Sequence, residues 1–290
     1  MVKRKEFEPN DYGRVCDFLI ELNRDGKEHI NWNWARFEWM YEHPMFDKSL
    51  LSRIGLWIDD GKVVGAAIYD MFLGEASVLA LPGYFVLYPE MLEYAYRNLG
   101  DDQGLRVAVP EGNERETRVV LDAGYRETEQ TETVMAIDLS APLPVAKKEG
   151  MEFVHLDPIG DYGELAWIFW QGFDHGSDRE ECERENQDKG NPRVHYDPRL
   201  AVTVRWEGKY VGHCSLWYDA KTDYAYVEPV CVIPDYRGKG VAKAMIYEAL
   251  NRARSLGAKK AYVISDMAFY GKLGFRKAAR YTFYQKKAGV

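Results

Sequence analysis

The 290-residue sequence has no apolar run long enough to span a membrane, and its start, MVKRKEFEPND, lacks the apolar core of an export signal. It also lacks a basic excess. Its 38 Lys and Arg stand against 46 Asp and Glu, a formal net charge of −8. That balance argues against non-specific nucleic-acid binding and anionic membrane surfaces, and favours cationic partners. Cysteine is scarce: Cys16, Cys182, Cys214 and Cys231 are scattered without C-x-x-C spacing. Reduced thiols in a cytoplasmic chain are the expectation. The six histidines show no ligand-type spacing, so no metal site is expected.

What is present is ample core material. Hydrophobic residues make up 46% and charged residues 29%, which excludes a disordered chain. The length suggests about two domains. Residues 11–22 have helical spacing, and the aromatic stretch Asn31 to Met40 reads as core and inter-domain packing, with a ligand-stacking surface as the alternative. Strands are predicted over 54–58 and 62–69, flanking Asp59-Asp60-Gly61, then a helix over 89–99, a strand over 105–109, a helix over 115–122 and a closing strand over 133–138. Two prolines, charge and Gly150 mark 141–150 as a linker. The same order then returns: strand 153–156, helix 161–173, strands 200–206 and 209–218, strand 224–232, helix 241–256 capped by Gly257, strand 260–264, short helix 267–273, and a strand at 281–285 closing the second sheet. Asp60-Gly-Lys-Val-Val-Gly65 echoes Glu207-Gly-Lys-Tyr-Val-Gly212, so a duplicated domain of about 140 residues is expected.

The most informative stretch is Val230 to Ala242. An apolar strand ends at Pro234, a basic glycine loop follows, and a helix begins at once. The loop has neither the P-loop pattern nor the dinucleotide fingerprint. Glycines at 238 and 240 allow positive φ, so backbone N–H groups can converge on an anion at a helix N-terminus. The alternative is an ordinary strand-to-helix turn. Arg237-x-x-Gly240-x-Ala242, followed about 30 residues later by Ala268-Phe-Tyr-Gly-Lys-Leu-Gly-Phe275, resembles the two signatures of the GNAT acetyltransferases. The resemblance covers nearly all of the second half. It implies an α/β fold of two tandem GNAT-like domains, each a twisted, mostly antiparallel mixed sheet flanked by helices, with a V-shaped splay between central strands. The expected division is a degenerate domain at 1–140, the linker, and an acetyl-CoA-binding domain at 151–290.

The resemblance also implies roles. Backbone N–H groups of Val230, Cys231 and Val232 would bind the acyl carbonyl, and a bulge is expected at Pro229, which cannot donate to a ladder. Arg237, Gly238, Lys239, Gly240, Val241, Ala242 and Lys243 would hold the pyrophosphate, although Arg237 reads equally as a loop-ordering residue. Asp266 stands where relatives have an Asn touching CoA; an ionised carboxylate only accepts, which puts that contact in question. Tyr270 is the candidate acid for the leaving thiolate and Glu228 the candidate base; a core tyrosine and a strand-surface glutamate are the alternatives. The acidic segment Asp174 to Asp188 suggests a rim for a cationic amine, or a solvated surface helix.

The expected function is acetyl-CoA-dependent N-acetyl transfer to a primary amine of a small molecule, by direct attack in a ternary complex, with no metal. A non-catalytic acyl-CoA-binding protein and a mycothiol-synthase-like acetyltransferase are the alternatives, in a monomer or homodimer. In the first half the corresponding turn reads Phe85-Val-Leu-Tyr-Pro-Glu-Met91, with no glycine and no Lys or Arg for phosphate. Pro89 removes an N–H and Glu90 places negative charge in the helix's first turn. That half is expected to bind no cofactor.

Overall fold

The computed structural model describes residues 1–24, 28–43, 46–157, 160–186 and 196–289. In chain order the first half contains β1 (Lys3–Glu6), α1 (Tyr12–Leu22), α2 (Trp34–Tyr41), β2 (Gly55–Asp59), β3 (Lys62–Asp70), β4 (Phe72–Ala80), α3 (Tyr88–Leu99), β5 (Leu105–Pro110), α4 (Glu114–Asp122) and β6 (Arg126–Asp138). The second contains β7 (Met151–Val154), α5 (Tyr162–Gly172), α6 (Arg179–Glu185), β8 (Ala201–Trp206), β9 (Lys209–Tyr218), β10 (Tyr224–Val232), α7 (Val241–Ser255), β11 (Lys260–Ile264), α8 (Ala268–Lys272) and β12 (Arg276–Lys286). They form two units: residues 1–135, 264–268 and 277–290, and residues 136–263 and 269–276.

In the first unit the strand order is β1-β2-β3-β4-β5-β12-β6. Strands β1 to β4 are antiparallel neighbours, whereas β4 and β5 are parallel and pair only at Glu75–Ala76 against Arg106–Val107. The aromatic stretch is core, as its spacing suggests: Trp32, Trp34, Phe37 and Met40 are buried. Asn33 starts α2 by accepting from the backbone N–H groups of Ala35 and Arg36 at 3.0 and 3.1 Å, which satisfies donors that the first helical turn leaves unpaired. Helix α3 buries Met91, Leu92, Ala95 and Leu99.

Two features depart from the sequence reading. The last strand does not close the second sheet; β12 lies antiparallel to β5, from Tyr281 opposite Pro110 to Lys286 opposite Leu105. Both units offer the same kind of acceptor edge, and alternation along one strand carries no information about which edge it joins. Strand β4 was not anticipated, because Gly74 and Glu75 interrupt its apolar run; its buried residues alternate from Gly74 to Val78 instead.

In the second unit the order is β11-β10-β9-β8-β7, antiparallel except for β10 with β11. Helices cover both faces. Cys231 packs with Leu165 and Ile168 of α5. On the other face Gly212, opposite Val232, leaves room for Val241 of α7, whose Cγ1 would stand 3.3 Å from an added Cβ. Helix α7 buries Val241, Ala244, Met245, Ile246, Ala249, Leu250 and Ala253, and the chain leaves it through Gly257 at φ +115°. Residues 141–150 have no regular structure, yet Leu143 is pinned: its backbone N–H and C=O both bond the Asn251 side chain, at 2.8 and 3.0 Å.

Candidate functional site

Pro229 breaks the β10 ladder as its missing N–H requires. Val227 faces Leu216 and Val230 faces Cys214, so β10 carries one extra residue, a bulge. The Glu228–Pro229 peptide is cis. The Glu228 carbonyl, taken out of register, accepts from the Trp217 indole N–H at 2.8 Å and the Ser215 hydroxyl at 3.4 Å. These donors sit two residues apart on β9 and so share a face. Sequence reasoning missed both; a Ser-x-Trp on the strand before a mid-strand proline was the available signal.

Beyond the bulge, the Ile233 N–H donates to Val211 O at 3.0 Å, and Val232 O accepts from Arg237 Nε at 3.0 Å. Antiparallel alternation then directs the backbone groups of Cys231 and Ile233 to β9, and those of Val230 and Val232 away from it. On that side β11 has left: its pairing with β10 ends at Tyr226 opposite Tyr262. This is the expected splay. Of the three residues expected at the carbonyl site, geometry singles out Val230 and Val232.

The loop follows. Gly238 has φ +73° and Gly240, the N-cap of α7, has φ +89°. A side chain is strained at such angles, whereas glycine is not. A Cβ at either position would meet nothing within 4 Å, so the outer side of the loop is open. The first-turn N–H groups of α7 have no intrahelical partners and carry the positive end of its dipole. Lys239 and Lys243 are exposed, with their ammonium groups 4.9 and 5.3 Å from the ring centres of Tyr236 and Tyr247. Val241 is buried and Ala242 half-buried. Arg237 turns inward instead. It donates to Gly172 O at 2.9 Å and Val232 O, and pairs with Asp174 at 3.0 Å. Its side chain orders the loop.

Gly172 makes that junction possible, since an added Cβ would lie 2.7 Å from Cys231 Cβ and Sγ. Burial pushes the Cys231 thiol up to about 12 and the Cys214 thiol higher still, so neither is a nucleophile near neutral pH. Tyr270 is 8% exposed, between Phe269 and Phe275. Burial first, then the charges of Cys214 and Glu228, lift its phenol well above the ordinary 10, so it keeps its proton. Glu228 is half-buried, and its charge acts on Cys214, Cys231 and Tyr270 together. Asp266 is exposed, in the segment grouped with the first unit.

The acidic segment is partly structural. Asp178 caps α6 by accepting from Glu180 and Glu181 N–H, and Arg179 pairs with Glu164 and Glu183, each at 2.9 Å. Glu180 and Glu181 themselves are exposed; Asp188 lies outside the described residues.

In the first unit, residues 82–87 form a 3₁₀ turn into α3, and none has positive φ. Glu90 accepts from the Trp57 indole at 3.0 Å. Basic groups do stand near this turn, however. Arg115 and Arg118 of α4 border a groove of about 540 Å³ with Phe85, Val86 and Pro89, and the Arg115 guanidinium lies 3.8 Å from the Phe85 ring centre. The turn itself lacks Lys and Arg; α4, distant in sequence, supplies them.

Residues 162–275 match the acetyltransferase (GNAT) family. An uncharacterized N-acetyltransferase of Escherichia coli (strain K12) is 30% identical over 88 residues, 28% of this chain and 49% of that protein. A glucosamine 6-phosphate N-acetyltransferase of Trypanosoma brucei brucei is 37% identical over 81 residues, 25% of this chain and 55% of that one. The chain thus spans about half the length of the curated relatives it matches. Among solved structures, a tandem GNAT protein from the clavulanic acid biosynthesis pathway aligns over 100% of this chain and 99% of its own, with a TM-score of 0.62 at 16% identity. A GCN5-related N-acetyltransferase from Sphaerobacter thermophilus aligns over 100% and 97%, with a TM-score of 0.57 at 19% identity. At such identities the likeness establishes the fold.

Proposed function

Because residues 162–275 belong to the GNAT acetyltransferase family, we propose that the second unit transfers the acetyl group of acetyl-CoA to a primary amine of a small molecule. The observation that carries this reading is the pair of left-handed glycines, Gly238 and Gly240, opening onto free space at the N-terminus of α7, directly after a bulged and splayed strand. A bulky side chain there would fill the space a pyrophosphate needs, so the residues fit the ligand. The co-substrate supplies an acyl thioester. Gly238 to Lys243 hold its phosphates through backbone N–H groups, with Lys239 and Lys243 adding charge. Val230 and Val232 N–H groups, turned away from β9, polarise the acyl carbonyl. Glu228 takes the proton of the attacking amine, directly or through water, while the fixed Trp217 and Ser215 contacts hold its backbone. Tyr270, protonated by virtue of its burial, gives its proton to the departing sulfur. Exposed Glu180 and Glu181 favour a cationic acceptor.

Steady release of free CoA thiol with a panel of small amines tests the assignment. Turnover with at least one cationic amine is the expected result. Tight CoA binding without turnover on any amine would support a binding protein instead, and turnover only on a thiol-bearing amino sugar would narrow the acceptor to that class.

A further inference from the structure

Away from the acyl-CoA loop, three groups in the first unit converge. Glu28, His29 and Glu116 each offer one ligand atom, and those atoms lie within 4.8 Å of one another. Glu116 is 3% exposed, and its Oε1 stands 3.3 Å from His29 Nε2. Its second oxygen, Oε2, is buried and has no hydrogen-bond partner among the described residues. An ionised carboxylate has four lone-pair directions, and leaving half of them empty in the interior is costly. A simple His–Glu ion pair therefore accounts for only half of this group. A charge-assisted N–H···O bond is also shorter, about 2.7–2.9 Å. Two ligands on one tetrahedral cation, at bond lengths of about 2.0–2.2 Å, stand about 3.3–3.5 Å apart.

We propose that Glu28, His29 and Glu116 form a site for a first-row divalent cation of the zinc class. One imidazole and two carboxylates suit such a metal, and solvent can fill the fourth position beside exposed Glu28. Two of the ligands are held in advance. Glu116 sits in the first turn of α4, where its N–H donates to Asn113 Oδ1 at 3.1 Å. His29 precedes a turn closed by Trp32 N–H to His29 O at 2.9 Å, and neighbouring Asn31 bonds Glu132 at 3.0 Å. The site ties the segment before α2 to α4, whose sequence separation hid it from any reading of ligand spacing. It is independent of the acyl-CoA loop and of the proposed transfer.

Calorimetric titration of the full chain with Zn²⁺, and Co²⁺ substitution followed by visible absorption, test it. The expected result is one equivalent bound at micromolar affinity or better, with cobalt bands typical of tetrahedral N/O ligation. Glu116→Gln should weaken binding at least tenfold. Glu28→Gln, an exposed change that leaves the fold intact, should weaken it severalfold. The absence of saturable binding, or equal affinity in both variants, would overturn the site and leave an ion pair only.

Discussion

The two strand–turn–helix junctions of this chain start alike and end differently. In each, a proline opens a 3₁₀ turn between a strand and a long helix: Pro82 between β4 and α3, Pro234 between β10 and α7. The second junction then inserts two left-handed glycines and leaves the space beyond them open. The first has no positive φ and places Glu90 in the opening turn of α3, bound to Trp57. The cavities beside the central strands differ in the same sense. The second unit keeps Glu228 and Tyr270 near a bulge held by Trp217 and Ser215. In the first, Arg36 fills the corresponding region, pairing with Asp70 at 2.7 Å and Glu132 at 2.9 Å, its guanidinium 4.9 Å from the Trp32 ring centre. One architecture can thus bind a ligand or occupy itself. A few backbone angles and one arginine mark the difference.

The largest effects are expected at the chemistry. Glu228→Gln and Tyr270→Phe should each lower turnover by about 10²–10⁴-fold with CoA affinity largely kept. Glu228→Gln should also flatten the acidic limb of the pH–rate profile. Since burial raises the Tyr270 phenol, any alkaline limb it causes should lie above pH 10, its ordinary value. Wild-type kinetics in both variants would remove these roles.

Next is the self-filled region of the first unit. Arg36→Met leaves Asp70 and Glu132, 21% and 14% exposed, facing each other without their cation. A stability loss of about 3 kcal/mol in urea unfolding is expected. CoA affinity should not change, and a weakened CoA site would contradict the division of labour between the units.

Gly240→Val should weaken CoA binding tenfold or more, about 1.4 kcal/mol on the affinity scale. The matching control is Gly83→Val in the first turn, where an added Cβ meets open space and φ is not positive. It should alter neither CoA binding nor the unfolding midpoint. Equal effects at both glycines would erase the contrast. The smallest effect is Trp217→Phe, which removes one donor from the Glu228 carbonyl, an expected cost of about 1 kcal/mol. If Trp217 positions the bulge, kcat should fall with the KM for acetyl-CoA nearly unchanged.

The parts legible in the sequence were those written locally. Gly238 and Gly240 needed only their own φ preference, Pro229 only its missing N–H, and α7 only its period. The illegible parts all depend on distant partners. Strand β12 alternates like any edge-seeking strand, and nothing within it names β5. The donors to the Glu228 carbonyl come from β9, the basic groups beside Phe85 from α4, and the partner of His29 from Glu116. Arg237 looked like a phosphate ligand because the Gly172 carbonyl that claims it lies 65 residues away.

The central claim is that acyl-CoA binds only through the second unit. A fragment cut near residue 140 cannot test it, because β12, the neighbour of β5, would be lost with the second half. Calorimetric titration of the full chain with CoA is the direct measurement. The account predicts one site per chain, abolished or weakened at least tenfold by Gly240→Val. Two sites per chain, or a single site that survives Gly240→Val and disappears with Arg115→Ala, would place binding in the first unit's groove and contradict it.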